Sequence, residues 1–324
     1  MAMNFWEAQR KARTLTTIYL FVFAFLTIAV AIIGEFALRT FAADSYDSPY
    51  PLFGVAFLGL TFAVAAYNYM MYREYGGGYV AESLGGYRID PTSDNPQERQ
   101  LLNIVQEIAL AASLPMPSVY VLPSKEINAF AAGLTRENAA ITVTEGTLER
   151  LNRDEVQGVI AHEFGHVYNG DMVISMRLAA MIMGFFFVLY IGLRLLQGSS
   201  FRSRNNEKQG GNPILLIAVG LMIAGALTWF FGSILKAMVS RQREYLADAC
   251  AVQFTRNPSG IANALRKISK DKAHDMPKTG SAYSHMFLED HSSIFDTHPP
   301  IEKRIAAIEG GKYTVNESDE SKHE

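Results

Sequence analysis

Four long apolar blocks, set apart by charged stretches, constrain this chain more than any other feature. They run at about 15–38, 51–71, 172–196 and 213–239. Each reaches the roughly 20 residues that a helix needs to cross a bilayer. Hydrocarbon offers no partner for backbone polar groups, so such blocks have to be helical. Hydrophobic residues make up 49% of the chain and the mean hydropathy is +0.07, but their clustering matters more than the total. Arg10, Lys11 and Arg13 precede the first block, while Asp44 and Asp47 follow it. The positive-inside rule therefore puts the N-terminal flank in the cytosol. The block exceeds the 7–15-residue core of a signal peptide and lacks a small-x-small exit, so it reads as a retained span. The second block ends at Arg73 and returns the chain to the cytosol.

The third and fourth blocks form a second hairpin. Its connecting loop carries Arg202, Arg204 and Lys208 against Glu207, the wrong sign for a loop on the outer side. A pair of buried or re-entrant helices is the competing reading, and the length of both blocks favours spanning. In either case the segments flanking the hairpin share one compartment.

The expectation is thus a mainly α-helical membrane protein of α+β class. It comprises an N-terminal membrane hairpin (1–75), a first soluble part (76–171), a second membrane hairpin (172–239), a second soluble part (240–310) and a polar tail (311–324). Gly76, Gly77 and Gly78 read as a loose linker. Asp94 and Pro96 start a helix that reaches about Ala112, with apolar positions Leu101, Ile104, Val105 and Ile108 at helical spacing. Pro115 and Pro117 break it before three β-prone runs at 118–122, 127–132 and 139–144. A short helix at 145–151 follows. Asn152 with Glu155 then reads as a capping box that opens a further helix. The net charge of −3 and pI near 6.2 give no basis for a nucleic-acid partner. The single cysteine, Cys250, excludes an intrachain disulfide and a cysteine-based metal site.

The chemistry lies on the helix that opens at Asn152, in the run His162-Glu163-Phe164-Gly165-His166. Residues four apart share one helical face, so both imidazoles can hold one Zn²⁺, with Glu163 beside them as general base. A catalytic zinc needs a third protein ligand and one open position. The metzincin pattern would place a histidine at 172, where this chain has Met172. Glu244 is the best remaining candidate. It follows the fourth block directly, as His166 precedes the third, so the hairpin returns it to the same surface. Asp248, one turn on, is placed to accept the free N–H of a ligating histidine. His298, fixed by Pro299 and Pro300, and Arg304 six residues later could together stabilise the oxyanion of a tetrahedral intermediate. His274, His285, His291 and His323 lie in polar stretches and read as surface residues.

Taken together, HEFGH with NGD after it, SRQREYLAD behind a hydrophobic hairpin, EINAFAAG and a late THPP resemble the HtpX-type membrane zinc metalloproteases. The likeness extends from about 77 to 308. It implies one zinc per chain on His162, His166 and Glu244, with Glu163 as general base and Asp248 behind the ligands. It also implies that His298 and Arg304 act near the metal, His298 either in the transition state or as an inhibitory fourth ligand. The strand around Asn128 and Ala129, and the strand with Ile141, Thr142 and Val143, would line the cleft, one of them pairing with an extended substrate. The activity implied is endopeptidase cleavage of misfolded or damaged membrane proteins at the cytosolic face of the bacterial inner membrane. The insertion at 198–213 is longer and more basic than a tight hairpin, which bears on the third span's topology.

Three other readings compete. A processing peptidase of narrow specificity would share the whole centre. A non-catalytic adaptor built on the same fold would have no need of Glu163. A transporter would need acidic residues within the spans, where only Glu35 lies, near one end.

Overall fold

The structure, a computed structural model, describes residues 5–41, 43, 46–202, 213–271 and 299–310. These fall into two compact units. One combines the stretch up to Met70 with Arg177–Lys236, and the other combines Met71–Met176 with the residues from Ala237 on. The connecting loop at 203–212, the tail beyond Gly310 and all the histidines read as surface residues lie outside the described residues.

The first unit is helical. Each apolar block lies within a continuous helix: α1 (Phe5–Phe41), α2 (Leu52–Tyr75), α7 (Asp171–Arg202) and α8 (Pro213–Thr255). Among the described residues, Leu52–Tyr75 and Asp171–Gln197 are long and apolar enough to cross a membrane. Phe53 and Phe57 stack with their ring centroids 6.3 Å apart, and both are buried against Ala31, Leu38, Val188, Leu221 and Ala224. In contrast, Phe21, Phe25 and Phe36 of α1 are 70–73% exposed. A row of bare phenylalanines on one helix is what a lipid-facing surface offers and what a water-facing one avoids. Glu35 is the buried acid of this unit. Its carboxylate accepts from Arg39 Nε at 2.7 Å, from the Tyr46 hydroxyl at 3.0 Å and from the Gly54 N–H at 3.1 Å. It therefore serves to close the first helix turn of α2.

The second unit carries a four-stranded sheet in the order β1-β2-β4-β3. Its strands are β1 (Tyr87–Arg88), β2 (Ser118–Leu122), β3 (Ala129–Ala132) and β4 (Ala140–Thr144). β2 and β4 run parallel, and the outer pairs β1–β2 and β3–β4 are antiparallel. Among the described residues, β4 is paired on both sides and β3 stands at the end of the sheet beside β4. The short helix α5 (Glu145–Arg150) follows β4 directly, and α6 (Arg153–Asn169) packs against both α4 (Pro96–Ala111) and α9 (Pro258–Ile268). Leu101, Ile104, Val105 and Ile108 of α4 share one core with Val119 and Val121 of β2, Ile141 and Val143 of β4, Val156 and Phe164 of α6, and Ile261 and Leu265 of α9.

Two local expectations change. The cap of α4 is Asn95 rather than Asp94: its side chain accepts from the Gln97 N–H at 3.0 Å, with Pro96 in the first turn. The glycines at 76–78 are no loose linker. The Gly77 N–H donates to the Asn138 carbonyl at 3.0 Å, and Gly78 opens the short helix α3 (Gly78–Ser83). A side chain at Gly77 would strike the Ala132 carbonyl, so this run is an anchored turn against the end of β3. Composition alone does not separate a flexible glycine run from one that is packed too tightly to admit a Cβ.

Candidate metal centre

Helix α6 begins where the sequence marks it. The Asn152 side chain accepts from the Glu155 N–H at 3.0 Å, and the Asn152 N–H donates to Glu155 Oε2 at 2.8 Å. Lys267 of α9 reaches the same carboxylate at 2.7 Å. The helix is buried almost all round. His162, Glu163 and His166 therefore sit inside protein, where interactions between charges are strong. The imidazole rings stand edge to face, 4.9 Å apart.

Glu244 arrives from α8. Its Oε2 lies 3.5 Å from His162 Nε2 and its Oε1 lies 3.5 Å from His166 Nε2. One donor atom from each of the three residues can be chosen so that all lie within 4.8 Å of one another. Ligands at zinc's usual bond lengths of about 2.0–2.2 Å stand about 3.3–3.5 Å apart along the edge of a tetrahedron. The three donors are thus close enough together to meet one ion of that size. The charges suit it as well. Four carboxylates, at 163, 171, 244 and 248, stand against the guanidinium groups of Arg243 and Arg304, an acid-rich cluster of the kind a divalent cation meets.

The close approach of α8 to α6 depends on Gly165. A Cβ there would come within 2.9 Å of the Ala247 Cα and 3.1 Å of the Ala247 carbonyl, which is backbone that cannot swing aside. Gly165→Ala is expected to push α8 outward and cost roughly 1–3 kcal/mol. It would appear as a lowered thermal midpoint, together with weaker metal binding as Glu244 is drawn away from the histidines.

A second layer orients the donors. Asp248 Oδ1 lies 2.9 Å from His162 Nδ1, which leaves Nε2 to face Glu244. Arg304, from α10 (Ile301–Glu309), donates to both oxygens of Asp248 at 2.9 and 2.8 Å and reaches Glu244 Oε2 at 3.2 Å. It is 1% exposed. This corrects the expectation of a guanidinium aimed at a substrate oxyanion: Arg304 stands behind the carboxylates and neutralises them. His298 lies outside the described residues. On the other side, Asp171 Oδ2 lies 3.3 Å from His166 Nδ1, and Arg243 Nε lies 3.4 Å from Asp171 Oδ1. Asp171 and Arg243 fall within the NGD and SRQREYLAD runs, but the sequence alone assigns them no role. A signal was present nonetheless, in an acid placed directly after a glycine that ends the metal helix. Gly170 caps α6 with φ of +76°, and that turn brings Asp171 back beside His166.

The field inside the cluster shifts its groups. Burial disfavours the charged form of His162, but hydrogen bonds to Asp248 and Glu244 outweigh it and raise the imidazole to about 9. His166 is raised likewise, with Asp171 and Glu244 outweighing burial. Burial pushes the Glu163 carboxyl upward against the pull of both histidines. Burial would also raise Asp248, but Arg304 and His162 hold it below the usual carboxylate range.

Of the two strands read as cleft walls, β4 is excluded as a partner for substrate. Ile141, Thr142 and Val143 are 0–1% exposed, and their strand is already hydrogen-bonded on both sides. Asn128 anchors the start of β3 from within. Its N–H donates to Thr144 Oγ1 at 3.0 Å and Thr147 Oγ1 at 2.9 Å, and its side chain accepts from the Ala129 N–H at 2.9 Å. β3 packs against α6, where the Ala131 N–H donates to the Glu163 carboxylate.

The chain is similar to known proteins. Residues 95–312 match the model of peptidase family M48. A protease HtpX homolog from Thermoanaerobacter pseudethanolicus is 34% identical over 304 residues, covering 92% of this chain and 95% of the relative. Another, from Ligilactobacillus salivarius, is 40% identical over 219 residues, covering 66% and 73%. The crystal structure of S. mikatae Ste24p aligns with a TM-score of 0.42 at 17% identity, covering 78% of this chain and 63% of that one.

Proposed function

The chain belongs to peptidase family M48 and is a metallopeptidase of the HtpX type, and on that premise we propose that it is a zinc-dependent membrane endopeptidase. Its substrates in this reading are misfolded or damaged membrane proteins of the bacterial inner membrane, cut at the cytosolic face. The observation that carries the reading is the convergence of His162, His166 and Glu244 with Glu163 beside them.

His162 Nε2, His166 Nε2 and one Glu244 oxygen would hold the ion. When bound, zinc supplies a Lewis acid that polarises the scissile carbonyl and makes water more acidic. Glu163 accepts the proton of the attacking water and returns it to the leaving amine, a task suited to a carboxyl raised by burial. Asp248 and Arg304 keep the His162 ring in one tautomer and orientation. An extended peptide lies along β3, beside Glu163, in this reading. The four apolar blocks, each inside one helix, support a multi-pass chain with its N-terminal flank in the cytosol.

Metal analysis of detergent-purified protein tests the centre. Wild type is expected to carry one zinc per chain, and His162→Ala and Glu244→Ala to carry essentially none. Full zinc in Glu244→Ala would remove the third ligand, and a metal-free wild type would remove the reading. An unfolded membrane protein cut by wild type, and spared once zinc is chelated, supports the substrate class. Activity confined to one short processing motif would replace that class with a narrow peptidase.

A further inference from the structure

We infer that Asp171 and Arg243 form a positioning relay that fixes His166 for the metal, so that α8 orients both histidines and not one alone. The inference rests on the zinc reading above. Each imidazole keeps its Nε2 toward Glu244 and has a carboxylate at Nδ1, Asp248 for His162 and Asp171 for His166. Each of those carboxylates in turn meets a guanidinium, Arg304 at Asp248 and Arg243 at Asp171. The centre is thus flanked by two Arg–Asp–His chains. Arg243 is the residue directly before Glu244, and Asp248 lies one turn beyond it on the same helix. A single helix therefore supplies the third ligand and one member of each chain.

The two chains differ in tightness. The His162 arm is closed by contacts of 2.8–2.9 Å, whereas the His166 arm has contacts of 3.3 and 3.4 Å. His166 is also the less enclosed ring, with 18% of its side chain exposed against 1% for His162. Its orientation therefore depends more on the partner at Nδ1. Asp171 and Arg243 are only 6% and 5% exposed, so the pair is part of the interior and not an incidental surface contact.

The plainer role for Asp171 is an acid favouring the N-terminus of α7. Asparagine serves a helix start nearly as well as aspartate. It lacks the charge, however, and can turn its amide N–H toward Nδ1, which selects the wrong tautomer of the ring. Asp171→Asn therefore separates the two roles. Zinc affinity would be measured by competition with a chromophoric chelator. Thermal midpoints in excess chelator and the visible spectrum of the Co²⁺-substituted protein would be recorded alongside.

Asp171→Asn is expected to lower zinc affinity 10–100-fold and to alter the Co²⁺ spectrum, beyond the fall in the chelated midpoint that comes from leaving buried Arg243 without its charge partner. Arg243→Met should weaken binding by less, and the double variant should bind no more weakly than Asp171→Asn alone, as residues of one chain do. Zinc affinity within twofold of wild type in Asp171→Asn, or fully independent losses in the double variant, would overturn the relay and leave the zinc centre standing. Should Asp171→Asn fail to fold, Asp171→Ser, which also suits a helix start, carries the same comparison. A wild-type protein that binds no zinc would defeat the underlying reading instead.

Discussion

Glu163→Gln is expected to slow peptide hydrolysis by a factor of about 10³ or more, while zinc content and thermal midpoint stay at their wild-type values. The substitution is close to isosteric at a position 1% exposed, and an amide can still accept from the Ala131 N–H, so the packing survives. What disappears is a group able to take and return a proton, a contribution of typically 10²–10⁴ in rate. None of the donor atoms facing the ion belongs to Glu163, so binding should persist. Initial rates on a quenched peptide, with metal analysis of the same preparation, provide the check. A variant that cut at the wild-type rate would move the base elsewhere, and one that lost zinc would make Glu163 part of the ligand framework.

Arg304→Met is expected to act differently, with its largest effect on stability. The guanidinium balances Asp248, which is fully buried, and Glu244, which is 3% exposed. Removing one member of a buried ion pair typically costs about 3–5 kcal/mol, because the remaining charge is neither solvated nor compensated. For a unit of this size that is a fall in thermal midpoint on the order of ten degrees. Zinc affinity should fall with it, since Asp248 loses the contacts that aim it at His162. A midpoint equal to wild type combined with a large loss in kcat alone would reinstate the oxyanion role that the sequence suggests. Thermal inactivation and kinetics on the same samples distinguish the two.

The sequence revealed those parts of the molecule that depend on local spacing. The capping box at Asn152 and Glu155, the paired imidazoles four residues apart and the helical blocks can each be read within a few turns of chain. Glu244 and Asp248 could be proposed because a motif with two ligands requires a third, and because a hairpin returns the chain to the side it left. What escaped was information held only in three dimensions. The choice between β3 and β4 as the edge depends on β2 pairing in parallel with β4, a crossover that no local pattern encodes. The glycines at 76–78 look flexible until the Ala132 carbonyl is seen against Gly77. Arg304 resembles a catalytic cation until its partners are known, because a guanidinium that stabilises an anion in passing and one that neutralises buried carboxylates permanently have the same sequence. Asp171 was visible as part of a motif but had no assigned task, since only the αL turn at Gly170 brings it back to His166.

The late position of α10 has a consequence for synthesis. His162, His166, Glu244 and Asp248 are all present in the chain well before residue 304, so the ligands emerge from the ribosome ahead of the cation that neutralises them. Until α10 has been made and has docked, Asp248 and Glu244 have to remain wet or protonated, and neither state holds His162 in the arrangement seen here. Full neutralisation of the buried carboxylates thus waits on α10, the last of the described helices.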